Sequence, residues 1–280
     1  MSNRRKVPYA FVTFIISSSL ALALIWNYEG YRLQTERSKV LNIAVDHANA
    51  IQITIERALS STHALAALVR QGNGIVKNFD VIGEEMLDLY PKVSNFQLAP
   101  DGIVTQIVPL KGNEKVIGLD QLHDPKRSKE AVIAKKTGKL TFAGPFELLQ
   151  GGLGAVGRMP VYLHSDSPKQ IFWGFTVVMM RFPESLEPAN LSQLQSRGLN
   201  YELWRIHPDT GKKQIIAASS TTALIDPVEQ SVDLPNNSWK LSVAPSKGWN
   251  EPKRVGVEAG VGLLLGFLLS YLVKLTLKLK

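Results

Sequence analysis

Two apolar stretches bracket the chain. Val7–Trp26 is a run of 20 residues without a charge, and Ala259–Val273 is a shorter run rich in leucine, with Gly260, Gly262 and Gly266. The first is long enough to cross the ~30 Å hydrocarbon core of a bilayer as a helix. The second reaches spanning length by starting near Val255, or by letting Lys274 and Lys278 snorkel to the headgroups. The competing reading of the first run is a cleaved signal peptide, with Ala21-Leu22-Ala23 offering a small-residue cleavage spacing. Its continuation through Leu24, Ile25 and Trp26 without a Gly/Pro break favours an uncleaved anchor. For the second run the competing reading is a buried terminal helix.

Between the runs the pattern first turns helical. No proline or glycine interrupts Leu33–Val69, and Gly72 follows as a stop. Leu41, Ala44, Ala48, Ile51, Ile55, Ala58, Thr62, Leu65 and Val69 recur at alternating spacings of 3 and 4, a heptad seam. Such a seam suits a helical homodimer. Its small residues suit packing on a globular body equally well.

The remainder reads as mixed helix and sheet. A short helix ends over Met86–Pro91, and Val93–Leu98 is a strand that turns at Asp101-Gly102 into Ile103–Pro109. Residues 124–138 predict a helix capped by Asp124, entered through Pro125 and stopped by Gly138. Leu140–Ala143, Val156–Leu163 and Ile171–Met180 are strands. Beyond Pro183 and Pro188 the pattern predicts a helix near Glu187–Arg197. Two hairpins follow, Tyr201–His207 with Lys213–Ala218 and 228–234 with 238–245. Strands and helices segregated in this way define an α+β class: two lobes with antiparallel sheets, carried on a long N-terminal helix and flanked by two transmembrane helices.

The charge pattern supports that division. Of the formal +8, residues 29–254 carry only +3, from 26 Lys/Arg against 23 Asp/Glu; the rest sits at the ends. A dispersed +3 is no stripe for phosphates, so nucleic acid is not an expected partner. Arg4, Arg5 and Lys6 precede the first run, and Lys274, Lys278 and Lys280 follow the second. By the positive-inside rule both termini are cytoplasmic and residues 29–254 are exported across a bacterial inner membrane. Cysteine is absent, which removes disulfides, thiolate metal sites and thiol catalysis.

Catalytic patterns are not found. His47, His63, His123, His164 and His207 are scattered without metal-ligand spacing, and no nucleophile elbow or kinase signature occurs. Neither an enzyme nor a cofactor is expected. Gly152-Leu153-Gly154-Ala155-Val156-Gly157 matches the dinucleotide fingerprint G-x-G-x-x-G, but Arg158-Met159-Pro160-Val161-Tyr162 after it is strand-like, whereas the fingerprint must open a helix.

One ordered set of segments is distinctive: Tyr90-Pro91, Phe96-Gln97-Leu98-Ala99-Pro100, Gly138-Lys139-Leu140-Thr141-Phe142-Ala143-Gly144-Pro145-Phe146, Met159-Pro160-Val161-Tyr162 and Gly174-Phe175-Thr176-Val177. This set resembles the CHASE domain, the extracytoplasmic sensor of many histidine kinases, cyclases and cyclic-dinucleotide enzymes, and of plant cytokinin receptors. The likeness covers about residues 45–245. It implies a long helix (29–72) serving signalling and dimerisation, a membrane-distal PAS-like ligand-binding lobe (73–182) and a membrane-proximal PAS-like lobe (183–250). The remaining segments are a cytoplasmic N-terminus (1–6), spans at 7–28 and 255–275, and a cytoplasmic tail (276–280). A small-molecule ligand is implied, and a kinase or cyclic-dinucleotide output lying outside this chain. The competing function is an exported scaffold whose lobes hold another periplasmic protein.

The resemblance also marks a site. In the plant receptors a helix carboxylate and a strand threonine touch an adenine-type ligand; the matching positions are Arg127 and Arg158, and a further family threonine corresponds to Ala143. With Leu140, Phe142, Phe146, Leu148, Val161 and Phe175 these residues form the expected ligand-binding set. A guanidinium in place of an acceptor favours a carboxylate or phosphate over a neutral base. In an apolar strand Arg158 needs an anion, either a ligand or an internal partner such as Glu147 or Asp124. Arg127 has the further reading of a solvated basic helix face.

Overall fold

A computed structural model describes residues 6–125, 128–149, 151–164 and 170–279. It divides into two compact units, residues 43–244 and the two ends, 1–42 with 245–280.

The terminal unit is built from the first part of helix α1 (Lys6–Gln71) and from helix α5 (Pro252–Leu279). Both helices are long and apolar enough to cross a membrane. They pack through small residues: a Cβ on Gly262 would meet Ala21 Cβ at 3.1 Å, and one on Gly266 would meet Ser18 Oγ at 2.6 Å. Ser270 Oγ donates to the Ala10 carbonyl at 2.7 Å. Beyond the apolar runs Arg254 pairs with Glu29, which also receives Arg32 at 3.0 Å, and Arg32 reaches the Trp249 carbonyl. Burial raises the Glu29 pKa, but the two guanidiniums outweigh it and hold the carboxyl below its usual range.

The larger unit holds the rest of α1 and two sheets. After α2 (Phe79–Leu89) come β1 (Asn95–Pro100), β2 (Gln106–Val108), α3 (Ser128–Thr137), β3 (Thr141–Glu147), β4 (Leu153–Leu163) and β5 (Ile171–Phe182). These five strands form one sheet in the order β2-β1-β5-β4-β3, with every pairing antiparallel. A 3₁₀ segment (Glu184–Ala189) and the short α4 (Ser192–Ser196) lead into β6 (Leu199–Ile206), β7 (Lys213–Ala218), β8 (Val228–Leu234) and β9 (Asn237–Pro245). Those four form a second sheet, β7-β6-β9-β8. The architecture is α+β, as the pattern predicts. The expected single helix over Glu187–Arg197 is two pieces, broken at Asn190, whose φ of 48° lies in the left-handed region.

The heptad seam has a different use from the one a coiled coil would give it. Ala44, Ala48, Ala58, Thr62, Leu65 and Val69 are buried within the single chain, and Ile51 and Ile55 are each only 1% exposed. The small residues let the sheet approach the helix closely. Thr176 Oγ1 of β5 donates to the Thr62 carbonyl at 3.0 Å, and Gly157 of β4 lies against Leu59. As a dimer interface this seam is therefore corrected: its apolar side is already covered by the chain's own fold.

Gly152–Gly157 runs into and along β4 rather than into a helix. The phosphate-binding reading fails for that reason, and the last glycine serves helix–sheet packing.

Candidate functional site

Strand register assigns each side chain of the five-stranded sheet to a face. Thr176 and Gly157 face α1, so residues of the same parity do too: Val178 pairs with both Gly157 and Phe96, and Phe142 pairs with Gly157. The other face carries Phe175, Val177 and Met179 from β5, Ala99 from β1 and Val156 from β4. Ile107 of β2 shares this face, and Val104, Val116 and, from α3, Ala131 and Ala134 complete a buried apolar cluster with it.

Into that cluster the strands insert polar groups. Gln97 and Arg158 flank Val177 on its two sides in the register, and Thr141 lies beside Arg158 on β3. Arg158 is only 1% exposed, and its Nε donates to Gln121 Oε1 at 2.5 Å. Gln97 Nε2 donates to Asn95 Oδ1 at 2.8 Å, Asn95 Nδ2 donates to Asn113 Oδ1 at 3.2 Å, and Asn113 Nδ2 donates to the Pro109 carbonyl at 2.9 Å. All five of these side chains are buried. A cavity of about 30 Å³ opens beside Gln97, Gln121 and Arg158, walled by Val116, Leu119, Phe146, Leu148, Leu149, Val156 and Met179. That is room for about one or two waters, with polar partners to hold them.

The Gln121 loop is fixed by its predecessor. Asp120 Oδ1 accepts the amides of Leu122 (2.9 Å) and His123 (3.1 Å), and Oδ2 meets His123 Nδ1 at 2.8 Å. The His123 contact, aided by these amides, holds the Asp120 carboxyl below its usual range against the effect of burial.

Of the residues expected from sequence, Arg158, Phe146 and Leu148 line this cavity. Phe175 belongs to the same apolar cluster, and Ala143, paired with Val156, shares its face without reaching the cavity. Phe142 and Val161 have the opposite parity. Phe142 packs on Trp239 of β9, with ring centroids 5.7 Å apart, so neither belongs to this cavity. Leu140 precedes β3 and does not line it. Arg127 lies outside the described residues. Gln121, which meets Arg158 Nε, is not among the residues expected from sequence. Asn95 and Gln97 were missed as well, although polar residues at alternate positions of an apolar strand are the signal that finds them. Among the described residues no cluster of His, Asp or Glu has the makings of a metal site.

A five-stranded antiparallel sheet thus carries a small polar cavity on one face and the long helix on the other. Residues 85–215 match the family model of the CHASE domain. A comparison with curated protein sequences gave no match. Among solved structures, an extracellular ligand-binding receptor from Desulfohalobium retbaense aligns with a TM-score of 0.56 at 13% identity, over 72% of this chain and 39% of that one. The chain thus spans about two fifths of that receptor's length. The ligand-binding domain of the Pseudomonas aeruginosa amino-acid chemoreceptor PctC, solved with GABA, aligns with a TM-score of 0.52 at 16% identity, over 74% of this chain and 98% of that domain. At such identities the likeness is one of fold.

Proposed function

We propose that the protein is a membrane-anchored sensor that takes up a small carboxylate- or phosphate-bearing solute beside Arg158 and passes the event to α1. The observation that carries this reading is the position of Arg158: a guanidinium 1% exposed, on the sheet face opposite α1, lining a cavity with two amide side chains. An always-charged planar donor in an apolar, enclosed setting favours an anionic group over a neutral base. At about 30 Å³ the cavity is too small for such a solute. Uptake therefore requires the walls at Leu119, Gln121 and Leu148 to part, and ligand energy is spent on that rearrangement. No role in this reading is catalytic.

Residues 29–254 are exported and both termini cytoplasmic, because the Lys/Arg clusters flank both spans on the same side. Output passes to a cytoplasmic kinase or cyclic-dinucleotide partner. Any homodimer formed along α1 uses its faces outside the buried seam.

The test is a thermal-shift screen of the full chain in detergent against organic acids and phosphates, with adenine derivatives as the contrast. Acids stabilise the wild type, and Arg158→Gln weakens their binding roughly ten- to a hundredfold, as expected for a charged hydrogen bond of ~1.5–3 kcal/mol. Stabilisation by adenines alone overturns the ligand class. A reporter fused after Leu279 that scores periplasmic overturns the topology.

A further inference from the structure

A second buried arginine lies where the two sheets meet. Arg205 of β6 is 3% exposed. Its Nε donates to Gln214 Oε1 at 2.8 Å, and its Nη2 reaches the Pro145 carbonyl of β3 at a long 3.4 Å. Nη1 is shielded from solvent and has no hydrogen-bond partner among the described residues. A buried donor on a charged group is costly to leave unmet.

Beside it is a cavity of about 70 Å³, lined by Arg205 and His207 on one side, by Ser128, Lys129 and Glu130 at the start of α3 on another, and by Phe146. Two carboxylates, Glu130 and Asp209, also line it. Asp209 is engaged by Lys129, whose Nζ lies 3.3 Å from Oδ1 and 3.0 Å from the Pro208 carbonyl. Neither Asp209 nor Glu130 forms an ion pair with Arg205 among the described residues. Burial pushes the Arg205 pKa below its ordinary value, and the attraction of Glu130 and Asp209 does not restore it.

We infer that this cavity binds a compact monovalent anion, of the size of formate, whose oxygen takes the free Nη1 of Arg205. The volume admits only a few heavy atoms. The location gives the anion a consequence. Phe146 lines both this cavity and the one beside Arg158, and α3 contributes Ala131 and Ala134 to the apolar cluster under the sensor cavity. An anion held between α3 and β6 fixes that shared wall, so its occupancy shifts the affinity of the first site through linkage.

The inference does not depend on the ligand proposed for Arg158, and the experiment separates the two. [¹³C]Formate is titrated into the full chain in detergent, in a gluconate buffer without chloride, and the ¹³C line width is followed. Saturable broadening is expected for wild type and for Arg158→Gln, with apparent affinity at least tenfold weaker in Arg205→Gln. Because Arg205→Gln removes a buried side chain and can compromise folding, Ser128→Leu provides the second variant. It adds bulk to the cavity lining and leaves the guanidinium in place, and it too should weaken binding at least tenfold while circular dichroism stays native. No saturable broadening in the wild type, equal binding by folded Ser128→Leu, or loss in Arg158→Gln alone overturns the site.

Discussion

Gly157 of β4 and Leu59 of α1 are packed so closely that a Cβ on Gly157 would lie 2.2 Å from Leu59 Cδ2. Leu59 is buried and has nowhere to retreat. Gly157→Ala should destabilise the unit of residues 43–244 by about 1–3 kcal/mol, the cost of overpacking a dense core. Adding Leu59→Ala should recover part of that loss. Thermal unfolding of the two single variants and the double variant checks this, and strictly additive effects would remove the contact from the account.

The buried seam makes a separate prediction. Ile51→Ala or Ile55→Ala should each cost about 2–5 kcal/mol of stability in the monomer, because each leaves a cavity beneath the sheet. A charged residue at either position should prevent folding altogether. Sedimentation combined with circular dichroism distinguishes this from a dimer defect: a folded monomer carrying Ile51→Asp would contradict the packing described above.

Gln121→Leu removes the acceptor of Arg158 Nε while keeping the size of the side chain. A loss of about 1.5–3 kcal/mol is expected, the range for a hydrogen bond to a charged group. Asn95→Leu tests the neutral part of the same polar run and should cost less, near 0.5–1.5 kcal/mol per bond lost. Chemical denaturation of both variants measures the difference.

Acid should act through Asp120. Its carboxyl is held below the usual aspartate value of 3.8, chiefly by His123. A depressed carboxylate contributes stability that is fully present above that value and is lost as pH falls through the lower folded one. Melting temperatures followed downward from pH ~5 should therefore fall more steeply for wild type than for Asp120→Asn, since only the wild type has this contribution to lose. Parallel curves would exclude it.

The terminal helices can be tested covalently, since the chain has no cysteine of its own. Ala21→Cys with Gly262→Cys places two Cβ atoms about 3.1 Å apart. That is slightly inside the ~3.5–4.5 Å of a disulfide, a gap that a small helix shift accommodates. Oxidation should give an intrachain crosslink on non-reducing gels. A crosslinked dimer band in its place would mean that the two spans pair between chains.

Much of this fold was legible because its signals are local. Apolar runs, strand alternation and the turn residues at Asp101-Gly102 and Gly138 are written within a few positions of the elements they shape. What covers the seam of α1 is not local. Ala44, Ala48, Ala58 and Thr62 admit a close neighbour of any kind, and the neighbour is a sheet whose strands begin beyond residue 90. The site shows the same boundary. Arg158 stands out as a charge in an apolar strand, but its partner Gln121 comes from a loop 37 positions away, where a glutamine looks like any solvated residue. Phe142 and Val161 were placed beside Arg158 on apolarity alone, and the two-residue period of the strand puts them on the reverse side.

Thr176 stands between Phe175 and Val177, which belong to the apolar cluster beside the Arg158 cavity, while its own hydroxyl holds the Thr62 carbonyl. The cavity side and the helix side are separated by the thickness of one extended backbone. A change in the pleat of β5 at Val177 is then a displacement at Thr62 in the same instant, with no relay of side chains that could be interrupted partway. Under the proposed sensor function, variants locked on or off should accordingly cluster in β5 and along the Leu59–Thr62 turn of α1, and the outer strands of the second sheet should yield few.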